Sequence, residues 1–208
     1  MPLEALNNSA NIITGSAYLF QAPVSTALIT MPPTDNSVND LVAAIITAAV
    51  WQPLGYTDAG IKFAYDPTYK DITVDEQMSP VDSLMTAEKL VVSCSLAELT
   101  LTNLARVIST AAAPAVVAAA VGTAGTTTFQ QGGQQVTNKF AYLLVGMGPR
   151  GFLRMVNVYN AVATSKLDMQ YKRGEKLMTP VEFTALALSS NGVGNRLFQV
   201  VDKSAQGE

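Results

Sequence analysis

Residues 139–159, KFAYLLVGMGPRGFLRMVNVY, decide the fold. Their middle, Gly146-Met147-Gly148-Pro149-Arg150-Gly151, matches G-x-G-x-x-G and follows an apolar run over residues 139–145 that reads as a strand. In a dinucleotide-binding protein such a loop opens a helix, whose first amides hold the pyrophosphate. Here residues 152–159 alternate instead, with Val156 and Val158 two apart, which is the period of a strand. The glycines are therefore read as a tight hairpin turn, and the chain as mainly β.

The same period recurs along the rest of the chain. Downstream, Leu167, Met169 and Tyr171 oppose Lys166, Asp168, Gln170 and Lys172, and further strands are expected over residues 180–188 and 196–202. Upstream, residues 17–22 form a first strand candidate. Ile61, Phe63 and Tyr65 alternate with Lys62, Ala64 and Asp66; Ile72 and Val74 alternate with Asp71, Thr73 and Asp75; Leu90, Val92 and Cys94 continue the series. Many short strands separated by turn signals predict a β-sandwich or barrel.

One flanking helix is expected over residues 96 to about 112. Ser95 and Glu98 have the spacing of a capping box, in which hydroxyl and carboxylate each satisfy an exposed amide. Ala97, Leu101, Leu104, Ala105, Ile108 and Ala112 then share one face, and Pro114 stops the helix. A shorter helix over residues 41–50 follows a turn at residues 32–36 and takes Asn39 or Asp40 as its cap. Residues 114–135, with Gly122, Gly125, Gly132 and Gly133, read as a flexible loop or a long hairpin tip. Residues 1–16 are polar and irregular and read as an N-terminal arm, with one domain over 17–208.

Composition narrows the chemistry. The chain has 208 residues and no histidine, which excludes Ser-His-Asp and Cys-His triads and any metal site needing imidazole. The lone Cys94 lies in an apolar run and reads as a buried thiol. Asp75 and Glu76 are adjacent on a strand end, so their carboxylates point to opposite faces and do not converge. No catalytic, cofactor or metal site is predicted. Net charge is −3, and the densest basic cluster, Lys166, Lys172, Arg173 and Lys176, is interrupted by Asp168 and Glu175, which argues against a nucleic-acid grip. Residues 41–50 and 104–125 are too short or too interrupted to span a bilayer, and residues 1–5 lack the features of a signal peptide, so a cytoplasmic origin is expected. Charged residues are only 14% of the chain, against roughly 25% in ordinary soluble domains. Such a surface tends to associate, and the reading is of a self-assembling structural subunit.

Several segments, taken in order, resemble the major tail tube proteins of long-tailed, siphovirus-like bacteriophages. Leu54-Gly55-Tyr56-Thr57-Asp58-Ala59-Gly60-Ile61 resembles that family's "lGyT-x-x-G" entry. Ile72-Thr73-Val74-Asp75, followed by Pro80-Val81-Asp82, resembles its strand and turn. The run from Leu96 through Glu98 and Leu101 to Asn103-Leu104 resembles its "LaE-x-tl-x-NL" helix, and Pro180-Val181-Glu182-Phe183 and Arg196-Leu197-Phe198 resemble its end. Residues 37–50 and 111–133 depart from the pattern.

The resemblance implies a β-sandwich whose copies form hexameric rings with a continuous inner barrel. It further implies rings stacked through an N-terminal arm, a long loop and the C-terminal region, around a lumen that holds a tape-measure protein and later conducts DNA without binding it specifically. A tail terminator is an implied partner; the location is the virion tail, after assembly in the host cytoplasm. The candidate structural and interface residues are Gly55, Tyr56, Thr57, Gly60, Asp75, Pro80, Val81, Ser95, Glu98, Leu101 and Leu104. Interfaces are expected in residues 1–15, 66–87 and after Asp202. The alternatives are another phage structural β-sandwich, such as the terminator, and a nucleotide-binding enzyme using Gly146–Gly151.

Overall fold

The computed structural model describes residues 13, 15–31, 37–108, 113–133, 137–164, 166–169 and 171–203. Most of the expected arm, the turn at 32–36, the end of the expected second helix and the tail after Lys203 lie outside the described residues. The elements are β1 (Ala17–Pro23), α1 (Val38–Thr47), β2 (Gln52–Pro53), β3 (Thr57–Ile72), β4 (Asp82–Leu96), α2 (Leu101–Val107), β5 (Ala115–Val117), β6 (Thr126–Thr128), β7 (Phe140–Met147), β8 (Leu153–Ala163), β9 (Thr179–Ala185) and β10 (Phe198–Asp202). The chain is mainly β, as expected, with two α-helices among the described residues, one near each segment expected to be helical.

The segment that decides the fold is a hairpin. β7 and β8 pair antiparallel from Phe140↔Ala161 to Met147↔Leu153. Their connection is a 3-10 turn at Pro149–Gly151, closed by the Gly148 amide on the Phe152 carbonyl at 2.6 Å. A strand, not a helix, follows the glycines, so no helix N-terminus faces the loop.

All pairings are antiparallel, in the order β2-β1-β7-β8-β9-β4-β3. The sheet branches at β8. Met155 to Val158 face β10, whereas Ala161, Val162 and Ala163 face β9. The branch folds β9, β4 and β3 over the β1-β7-β8 layer, and a core fills the space between. Leu19, Leu54, Leu90, Val92, Leu96, Tyr142, Leu144, Val158, Val181 and Phe183 belong to it.

A second core lies on the opposite face of β1, β7 and β8. Leu41, Val42 and Ile45 of α1 pack there against Phe20, Leu143, Val145, Leu153 and Met155. This explains the two kinds of strand in the sequence. β4 reads Leu90, Val92, Cys94, Leu96 buried with half-buried residues between, because one face is covered. β7 is buried continuously from Ala141 to Val145, because the sandwich core takes one face and α1 the other.

Several expectations are corrected. α1 begins earlier than expected and is capped by Ser37, whose hydroxyl accepts from the Asp40 amide at 3.3 Å, not by Asn39 or Asp40. The expected helix from residue 96 is strand up to Leu96, and α2 spans only Leu101–Val107. Thr100 is its cap, with the hydroxyl accepting from the Asn103 amide at 3.1 Å. Ser95 cannot open a helix because its backbone is committed to strand neighbours on both sides, Asp58 and Pro180. Val74 and Asp75 lie in the loop beyond β3, and Asp75 and Glu76 form a turn rather than a strand end. Residues 166–169 and 171–172 form no strand. Leu167, Met169 and Tyr171 are exposed, so their alternation has no core face to bury. Residues 114–133 contain a small separate hairpin, β5 paired with β6.

Candidate assembly surfaces

Two of the sequence motifs meet at one corner. Leu54 is fully buried, and Gly55 turns the chain between β2 and β3 at φ +90°. Glu98 reaches back across this corner: its carboxylate accepts from the Tyr56 amide at 3.4 Å, while the Ala97 amide bonds the Tyr56 carbonyl at 2.9 Å. Glu98 thus braces the Gly55-Tyr56-Thr57 segment instead of completing a helix cap. Asn103 is buried beside it, and its side-chain amide donates to the Glu98 carbonyl at 3.4 Å. A Cβ on Gly55 would stand 2.7 Å from the Asn103 Nδ2 and 2.9 Å from a Glu98 carboxylate oxygen.

Arg106, absent from the expected set, ties the same corner. Its guanidinium donates to the Pro53 carbonyl at 2.9 Å and the Gln52 side-chain oxygen at 3.1 Å, and the Gln21 amide donates to the Arg106 carbonyl at 3.0 Å. Arg106 stands three residues after Asn103 on α2 and donates to its side-chain oxygen at 3.5 Å, which is the only hint the sequence offers; its other partners are more than fifty residues away. Leu104 anchors α2 in the interior, whereas Leu101 is exposed at the first turn.

Gly60 has a different setting. It sits with Ala59 in a bulge of β3, where the register against β4 jumps between Asp58 and Ile61. Ala59 and Gly60 have φ of 59° and 81°, and no atom lies within 4 Å of a Cβ built on Gly60. The bulge opens a shallow cavity of about 710 Å³, lined by Asp58, Lys62, Cys94, Lys166 and Glu182 among others. Asp58 pairs with Lys176 at 2.7 Å, and this hydrogen bond holds its carboxyl below the usual range. Burial pushes the Cys94 thiol up to about 12, so the sulfur is a poor nucleophile.

The β3–β4 hairpin extends far beyond the core. From Asp66 to Lys89 every residue is exposed apart from half-buried Pro67. Near the base, Phe63 and Tyr65 lie against Phe198 of β10, with ring centroids 5.1 and 5.7 Å apart. The Tyr65 hydroxyl donates to Glu88 across the hairpin at 3.0 Å, which raises its own ionisation point. Further out, the loop is closed by the Val81 amide on the Ile72 carbonyl at 2.9 Å. The expected residues Asp75, Pro80 and Val81 are all in this loop, far from the Gly55 corner. The expected interface over residues 66–87 is therefore mostly paired strand, and only residues 73–81 are loop.

At the other end of the chain, β10 is fixed to the start of β8. Arg154 clasps Asp202 through two bonds of 2.5 and 2.6 Å, an arrangement that lowers the Asp202 carboxyl and raises the guanidinium. The Lys203 amide bonds the Leu153 carbonyl at 2.9 Å.

Fold and surface together define a mainly β sandwich with a long exposed hairpin and a covering helix on one layer. The family model for phage tail tube protein matches residues 4–206, and the chain belongs to that family. Its role is accordingly structural, in the tail tube of a virion. A comparison with curated proteins found no match.

Proposed function

We propose that this chain is a major tail tube subunit, whose copies close into hexameric rings and stack into the conduit for DNA. The observation that carries this reading is the outer edge of β3. This strand runs for sixteen residues and pairs with β4 alone; no other strand among the described residues lies along it. A long bare edge is a template for another strand; the bulge at Ala59-Gly60 and Pro67 interrupt this one without covering it. Ring closure removes such edges by joining each subunit's sheet to its neighbour's.

The subunit reading takes residues 17–208 as one domain and residues 1–15, the β3–β4 hairpin and the tail after Asp202 as the contacts between rings. A tape-measure protein and a terminator would be partners inside and at the end of the tube, with assembly in the host cytoplasm. Function then lies in interfaces and not in catalysis. The net charge of −3 supports a lumen over which phosphates slide without sticking.

Hydrogen exchange tests the β3 edge directly. The amides of Thr57–Ile72 that point away from β4 exchange slowly in assembled particles and fast in dispersed subunits. Equal exchange in the two states removes β3 from the ring contact.

A further inference from the structure

Beyond Tyr65 the β3–β4 hairpin is exposed throughout apart from half-buried Pro67. A two-stranded ribbon is marginal by itself in water, and this one exposes Tyr69, Ile72, Met78, Val81, Leu84 and Met85. Its distal part carries four carboxylates, Asp71, Asp75, Glu76 and Asp82, against one cation, Lys70, which stands opposite Leu84. None of these four carboxylates has a basic partner within 4 Å among the described residues. Exposed apolar side chains among charges that are mostly of one sign suit a surface that meets a partner of the opposite sign.

A surface of that kind exists on the same molecule. The connection between β8 and β9 exposes Leu167, Met169, Tyr171 and Met178. Around them stand Lys166, Lys172, Arg173 and Lys176, against Asp168 and Glu175. Lys172 and Lys176 are occupied by Glu175 and Asp58, while Lys166 and Arg173 have no carboxylate within 4 Å among the described residues. This is the densest basic cluster of the sequence, and no core packing explains it.

The two surfaces cannot meet within one chain. Lys176 bonds Asp58 at the base of β3, and Lys166 lines the same cavity. Asp58 and Ile72 are fourteen strand residues apart, which at about 3.3 Å per residue is roughly 45 Å. Donor and acceptor therefore sit at opposite ends of one hairpin. A contact between them is heterologous, running from one copy to the next, and such contacts propagate into rings or filaments.

We propose that the tip of the β3–β4 hairpin docks on the β8–β9 connection of a second copy of this chain, apolar side chains inward and the acidic tip residues facing Lys166 and Arg173. The inference rests on the tube reading and names the acceptor that the hairpin uses.

The test is a photo-crosslink from the hairpin tip of the full chain. Met78 is fully exposed and Cys94 is buried, so a Met78→Cys variant takes a benzophenone maleimide at the new thiol. Illumination at rising protein concentration is expected to join the benzophenone to residues 166–169 or 171–178 of another copy, mapped by mass spectrometry. Reversing Lys166→Glu with Arg173→Glu lowers that yield roughly tenfold, and adding Asp75→Lys with Glu76→Lys in the same chain restores it. Cross-links to any other segment while rings or tubes still form overturn the docking and leave the tube reading intact. Neither cross-links nor association at the highest concentration overturns both.

Discussion

Gly55 and Gly60 look alike in the sequence, five residues apart in one motif, yet they answer to different constraints. Both have positive φ, so a side chain at either strains the backbone. Only Gly55 also has Asn103 and Glu98 pressed against the space a Cβ would fill. Gly55→Ala is therefore expected to cost more than about 2 kcal/mol, and Gly60→Ala about 1 kcal/mol. Urea unfolding of the two variants checks the order, and equal losses would remove the Gly55–Glu98–Asn103 corner as a packing constraint. That glycines belong here is legible in the motif itself. That Glu98 and Asn103 close over Gly55 is not, because more than forty residues separate them and only the fold brings them together.

At the scale of elements, the strands that bury one face are legible from their period. Leu90, Val92 and Cys94 are the plain case, since side chains of alternate residues enter the core. The sequence misleads where a local signal meets a stronger tertiary demand. Ser95 and Glu98 have capping-box spacing, but β4 is held between β3 and β9 up to Leu96, so the helix starts only when Thr100 takes the cap. Thr100→Ala should then destabilise the chain by about 1 kcal/mol, whereas Ser95→Ala leaves α2 untouched. Thermal melts of both variants, with helix content by circular dichroism, measure this; a loss of helix in Ser95→Ala would reinstate the capping box. The segment around Leu167, Met169 and Tyr171 misleads for another reason. Its alternation is real, but the apolar side is in solvent, and a period of two specifies a strand only where one face is buried. The same residues make sense as the face that a second copy covers.

For the whole molecule, the class is legible because two independent features agree. The G-x-G-x-x-G segment is followed by strand alternation, which excludes a dinucleotide fold, and few charges leave a surface suited to association. The branch at β8 is not legible, since nothing in the sequence says that its first half faces β10 and its last residues β9. That branch turns the sheet into a sandwich and leaves β3 at the end of the strand order, with no strand among the described residues on its outer edge and its hairpin exposed. In the assembly we propose, that edge and that hairpin each meet a copy of the same chain, one contact closing a ring and the other extending along its axis. Negative-stain electron microscopy of the purified chain across a concentration series tests this most directly. Rings or hollow tubes of uniform width, increasing with concentration, are the expected result; a dispersed monomer at every concentration would contradict the account.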